Sequence, residues 1–177
     1  SSPLVRAHWT AQQVAAAHGL EVEAEQRIQE QSFGAWDGLS RDEVLERDPE
    51  ILAEWECRDD VEPPDGESQI QMQRRVLEVV RELADKAQRS AGDEPRVIAL
   101  VSHVGPIKAI LAAALDIGLM NSRRIFLDPA TVSVVDWGPT PIVRVCNVTV
   151  HGGWLNARWM KPGGGIVRGG AWHRAVP

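Results

Sequence analysis

Val97-Ile98-Ala99-Leu100-Val101-Ser102-His103-Val104-Gly105-Pro106-Ile107 decides the fold class of this chain. The apolar run from Val97 to Val101, bounded by Pro95 and Ser102, predicts a central strand covered on both faces. A helix follows at once, from Pro106 to about Leu115, so His103 falls where a buried strand ends and a helix begins. In open α/β sheets, ligands bind at this carboxyl edge. The helix start offers unpaired N–H groups and positive potential to an anion. A histidine there reads as an anion ligand, a nucleophile or a general acid. It reads equally well as a helix cap or a pocket wall.

Outward from this stretch, helices and strands alternate, which means a layered α/β domain. Toward the N-terminus, Ser68 to Ala91 is a long helix with Ile70, Val76, Val79, Val80 and Leu83 as its buried stripe. Glu56 to Gly66 is acidic and proline-bearing, hence loop. Ser40-Arg41-Asp42-Glu43 is a capping box that opens a helix, interrupted at Asp48-Pro49 and resumed to about Trp55. Leu20 to Ile28 alternates apolar and charged residues, as a short strand or extended segment does. Ser2 as N-cap and Pro3 at the first helical position open a helix that His18-Gly19 closes. Toward the C-terminus, Val132 to Trp137 and Ile142 to Val148 are strands joined by Gly138-Pro139-Thr140-Pro141, read as antiparallel neighbours.

Composition narrows the class. With 177 residues, 44% hydrophobic and 25% charged, the chain can build one core of its own and is not disordered overall. No apolar run approaches the roughly 20 residues of a membrane span. The net charge of −6 argues against general nucleic-acid binding. Cys57 and Cys146 are too few for a disulfide framework, so a reducing cytosol is the expected setting. The composition breaks at about residue 151. Beyond it lie glycines, tryptophans, Arg158, Lys161, Arg168 and Arg174 but no acid, so residues 152–177 read as an irregular tail.

Three further motifs carry chemistry-bearing residues. Ser1-Ser2-Pro3-Leu4-Val5-Arg6-Ala7 puts Arg6 in the first turn of a helix, where the macrodipole disfavours a cation. It reads as an anion clamp or as a solvated surface arginine. Glu30-Gln31-Ser32-Phe33-Gly34-Ala35-Trp36-Asp37-Gly38 sets an acid beside aromatics in a loop. Apolar neighbours there could raise a carboxyl toward general-acid range, or the glutamate is incidental to a packed turn. Pro63-Pro64-Asp65-Gly66-Glu67-Ser68 delivers Glu67 and Ser68 to a helix start, where plain capping is the better local reading.

In order and rough spacing, these four motifs resemble the histidine phosphatase superfamily, the phosphoglycerate-mutase-like clan, from Ser1 to about His151. The details are most similar to the actinobacterial acid-phosphatase and α-ribazole-phosphatase branch. The resemblance implies a three-layer α/β/α sandwich with a mostly parallel central sheet. It also implies hydrolysis of a small phosphorylated substrate through a phosphohistidine. Arg6 matches the family's second phosphate-clamping arginine, and His103 the second histidine, which binds an equatorial oxygen and stabilises charge in the transfer. Glu30 matches the acid that protonates the leaving alkoxide and then activates water. Glu67 and Ser68 match the substrate rim. No metal or other cofactor is implied, because arginine, histidine and helix-end N–H groups supply the positive field.

The chain departs from the family in one important respect: it contains no Arg-His-Gly. The expectation is therefore a core over residues 1–151 lacking its first strand, with roughly 50 to 70 residues absent upstream on typical element lengths. This exact chain should be nearly inactive, and its exposed ladder edges would favour self-association into a homo-oligomer. His151 fits the family's closing strand. The alternatives are a phosphoglycerate mutase, for which no long insertion follows Gly38, and a non-catalytic phospholigand-binding or interaction domain. An origin as the C-terminal half of a longer bifunctional enzyme is also allowed.

Overall fold

A computed structural model of the chain describes residues 1–90 and 97–148. The expected tail and the strand closing at His151 lie outside the described residues. The chain is α/β, with helices and a small sheet. Its helices are α1 (Val5–Ala17), α2 (Arg41–Arg47), α3 (Pro49–Cys57), α4 (Gln69–Ser90) and α5 (Val104–Ala114), and its strands β1 (Val132–Asp136) and β2 (Ile142–Val148). Gln26–Ile28, Gly34–Trp36 and Leu119–Arg124 form 3-10 turns. No described helix is long and apolar enough to cross a membrane.

Local chemistry accounts for the helix ends. Ser40 Oγ accepts from the Glu43 N–H at 3.3 Å and the Glu43 carboxylate accepts from the Ser40 N–H at 2.7 Å, which is the expected capping box. Pro49 lacks an N–H and sits at the first position of α3, so the break at Asp48 costs no hydrogen bond. Asp48 also accepts from Trp36 Nε1 at 2.8 Å, tying the Glu30–Gly38 loop to the α2–α3 corner. There Phe33, Trp36, Val44, Leu52 and Trp55 make one apolar cluster, with the Trp36 and Phe33 rings edge-on to Trp55. A second cluster joins α4 to α5 through Met72, Val76, Ala109, Ala112 and Leu119. On α4, Val76, Val79 and Val80 are buried as expected, but Ile70 is 40% exposed and Met72 takes the inward place.

Two expected extended segments differ. Val97 to Val101 is not a strand, because no ladder flanks it among the described residues. Val97 is 96% exposed and Ile98 45%. Leu20 to Ile28 runs irregularly into the 3-10 turn at Gln26–Ile28. Both segments still lie beside Ser1 and Ser2. The Ser1 amino group donates to Glu23 O at 2.7 Å and Ser1 O accepts from the Glu25 N–H at 2.7 Å, the flanking pattern of a parallel pair. On the other side the Ser2 N–H donates to Val101 O at 2.9 Å. The single ladder among the described residues is β1 with β2, antiparallel as the sequence suggests, pairing Val132 with Val148 and Asp136 with Ile142. Its register shifts between Val132 and Val135, where Asn147 opposite takes φ 56° and its side chain bonds Asp128.

The N-terminal cap also differs. α1 begins at Val5, two residues later than the Ser2-Pro3 reading, with Leu4 at the cap position. Ser2 Oγ accepts from the Leu4 N–H at 3.3 Å, and the buried hydroxyl is shared with another partner.

Candidate active site

That partner is His103. The residue sits at the cap position of α5 in extended conformation, its side chain bonding no helix N–H, so the ring is free to turn inward. It is 7% exposed, and its Nε2 lies 2.8 Å from Ser2 Oγ. Either group can donate in this pair, depending on the imidazole tautomer. Burial first, then the charges of Arg6 and Arg75, pull the imidazole down from 6.5 to about 4. The ring is therefore neutral at neutral pH.

Glu30 reaches the same helix start. Its Oε1 accepts from the Gly105 N–H at 3.1 Å and from its neighbour Gln31 N–H at 3.0 Å. Gly105 matters here because a Cβ would collide with that oxygen and press on Met72 Sδ. Desolvation pushes the Glu30 carboxyl above its ordinary value, while the two N–H bonds and the charges of Arg6 and Arg75 oppose the rise. The site thus pairs a carboxyl held up with an imidazole held down, the separation that acid–base sites use.

Arg6 lies exposed in the first turn of α1, and no ion pair or hydrogen bond of its guanidinium occurs among the described residues. Its charge nevertheless acts on both Glu30 and His103. Glu67 and Ser68 are placed otherwise than at an open rim. Ser68 is buried, its Oγ accepting from the Gln71 N–H at 3.3 Å at the start of α4. Glu67 spends its carboxylate on the Ser32 N–H at 3.0 Å and the Arg75 guanidinium, with Nε to Oε2 at 2.9 Å.

The four motifs converge. The 31–35 loop runs against 64–67 through Glu67 N–H to Ser32 O at 3.0 Å and Ala35 N–H to Pro64 O at 2.8 Å. Ser102 Oγ donates to Ile28 O at 2.6 Å, joining the Glu30 loop to the His103 turn. Gly34, at φ 54°, comes so close to Pro64 O that no side chain fits between.

Sequence reasoning missed Ser2 as the partner of His103, and Arg75 altogether. Arg75's signal was present: an arginine between Met72 and Val76 on the inward side of α4. Lys108 was missed too. It is 6% exposed on α5, and burial holds its ammonium below the ordinary value, with Glu30 opposing that shift and Arg123 adding to it. His8 and His18 lie on and just after α1, and His8 Nδ1 is buried without a hydrogen-bond partner. Among the described residues no cluster of His, Cys, Asp or Glu is arranged to hold a metal.

The sequence profile of the histidine phosphatase superfamily (branch 1) matches residues 1–147. A bifunctional protein of Mycobacterium tuberculosis is 40% identical over 137 residues, which is 77% of this chain and 36% of that protein. The chain thus spans about a third of the length of that relative. Phosphoserine phosphatase 1 of Hydrogenobacter thermophilus is 32% identical over 153 residues, covering 85% of this chain and 70% of the relative. Among solved structures, a mycobacterial glucosyl-3-phosphoglycerate phosphatase in complex with inorganic phosphate superposes with TM-score 0.71 at 28% identity. That match covers 84% of this chain and 75% of the other.

Proposed function

The chain belongs to branch 1 of the histidine phosphatase superfamily, and from that premise we propose that it supplies the phosphate-binding and proton-transferring groups of a phosphomonoester hydrolase. The observation that carries the reading is the meeting of Glu30 and His103 at the start of α5, one carboxyl raised and one imidazole lowered. In this mechanism a histidine nitrogen attacks phosphorus and the bond to the leaving oxygen breaks. Glu30 gives that oxygen its proton. The Glu30 carboxylate then takes a proton from the water that attacks the phosphohistidine, and phosphate and the free histidine result. Arg6 clamps the phosphoryl oxygens, and His103 stabilises their growing charge. Glu67 and Ser68 serve this site as supports rather than as substrate ligands.

The finer fold belongs to the same reading. The parallel-type bonds of Ser1 to Glu23 and Glu25, with Ser2 against Val101, support a mostly parallel sheet in a three-layer sandwich. A small phosphorylated metabolite as substrate and a cytosolic setting complete it, the latter supported by two free, exposed cysteines, Cys57 and Cys146.

A second reading has its own support. It takes Arg6, Glu30 and His103 as a phosphate-binding pocket without turnover, supported by the exposed Arg6 guanidinium whose charge reaches both of the other groups. Calorimetry with inorganic phosphate or vanadate tests the shared premise. Arg6→Ala and His103→Ala should each weaken binding by at least about tenfold, as loss of one charge-assisted contact does. Wild-type protein that binds neither anion, or variants that bind as well as wild type, would overturn both readings. Hydrolysis of p-nitrophenyl phosphate by a form that also carries an Arg-His-Gly segment then separates them, since only the first reading requires turnover of that form.

A further inference from the structure

Arg75 has more to do than balance Glu67. A part-buried guanidinium is costly unless its donors are matched, and here all five N–H groups have acceptors. Nε donates to Glu67 Oε2 at 2.9 Å, Nη1 to Arg27 O at 2.7 Å and Gln29 O at 3.0 Å, and Nη2 to Glu30 O at 3.1 Å and to Glu67 Oε1. Three of the five acceptors are main-chain carbonyls of the stretch that carries Glu30. Glu67 in turn accepts the Ser32 N–H and gives its own carbonyl to Gln31 Nε2 at 2.9 Å, so the chain is held on both sides of Glu30. The segment needs such a grip, because beyond one 3-10 turn it has no regular structure to satisfy its own carbonyls.

We infer that Arg75 is the positioning residue of the proposed acid: its fork locks residues 27–32 so that the Glu30 carboxylate meets the Gly105 N–H. It acts on the phosphate chemistry through Glu30 rather than by touching phosphate, and so rests on the reading given above. Lysine cannot replace it, since a single ammonium has three donors and no planar fork. Two cations act on Glu30 from the elements around it, Arg6 from α1 and Arg75 from α4, and Glu30 in turn acts on Lys108 of α5.

The test is residue-specific NMR on the full chain, comparing wild type with Arg75→Lys and Arg75→Met. In Arg75→Lys, which keeps the charge, the Gly105 amide should lose at least about tenfold of its exchange protection. The Val44 amide, in the other cluster, should keep its own. In Arg75→Met the Glu30 carboxyl should also titrate higher than in wild type, as an opposing cation has gone. Should Arg75→Met fail to fold, Arg75→Lys decides alone. A folded Arg75→Lys with Gly105 protected as in wild type overturns the inference, and so does loss of protection at Val44 and Gly105 alike. Vanadate binding by the same samples keeps the two proposals apart. Wild type that binds vanadate, with Gly105 unmoved in Arg75→Lys, sinks the role of Arg75 alone, and a moved Gly105 beside wild type that does not bind sinks the phosphate readings alone.

Discussion

Acid should loosen this protein through one imidazole. His103 takes a proton at about 4 in the folded chain and at 6.5 when unfolded. Between those values the unfolded state holds more protons, so stability falls as pH falls. The contribution is whole above 6.5 and is lost progressively toward 4. At about 1.4 kcal/mol per pKa unit, the loss approaches about 3 kcal/mol in full and about 2.5 kcal/mol by pH ~4.5. That is a large part of a typical domain's stability, which is about 5–15 kcal/mol. Two carboxyls behave differently. The raised carboxyl of Glu30 works in the opposite sense, removing stability as pH rises above its ordinary 4.5. Arg27 holds the Glu25 carboxyl at about 2, so its contribution is lost only below 4.5. Urea unfolding from about pH 7.5 down to about 4.5, on wild type and His103→Gln, isolates the imidazole. Wild type should lose about 2–3 kcal/mol more than the variant over that range. Parallel pH curves for the two proteins would refute the account, whatever their absolute stabilities.

Two glycines give sharper structural tests. At Gly34 a Cβ would strike the Pro64 carbonyl and the φ of 54° is strained for any side chain. Gly34→Ala should therefore cost about 2–4 kcal/mol, and a urea midpoint within error of wild type would contradict that contact. At Gly105 the obstacle is the movable end of Glu30, so Gly105→Ala should change global stability by less than about 1 kcal/mol. The same variant should shift the Glu30 carboxyl resonance out of its wild-type position, and an unmoved resonance would show that the carboxylate is not seated there.

What the sequence made legible follows from how local each signal is. The Ser40–Glu43 box and the Pro49 break formed as read, because capping is settled within a few residues. The antiparallel pairing of β1 and β2 follows from two alternating runs and a short turn. The Val97–Val101 run takes part in no ladder among the described residues, because an apolar stretch shows what a segment would bury, and pairing depends on other segments. Glu67 was uninformative for a related reason. Its partner lies eight residues on, across a loop and two helical turns, where spacing no longer fixes contact. Ser2 was read as a helix cap, and its hydroxyl has a second partner 101 residues away.

The Arg75–Glu67 pair also explains why so much charge is kept beside an apolar cluster. Apolar residues of similar volume usually stabilise a core as well as a buried ion pair does, so stability alone gives no reason to keep one. A methionine at position 75, however, would leave the carbonyls of Arg27, Gln29 and Glu30 without the donors they now have. An unpaired carbonyl costs up to about 1–3 kcal/mol when fully buried, and part-buried ones such as these lessen that cost by turning outward. Turning Glu30 O outward would swing its side chain off the α5 N-terminus. The arginine is thus required by the irregular path of residues 27–32, and that path is what carries a carboxyl into contact with the helix start that His103 caps.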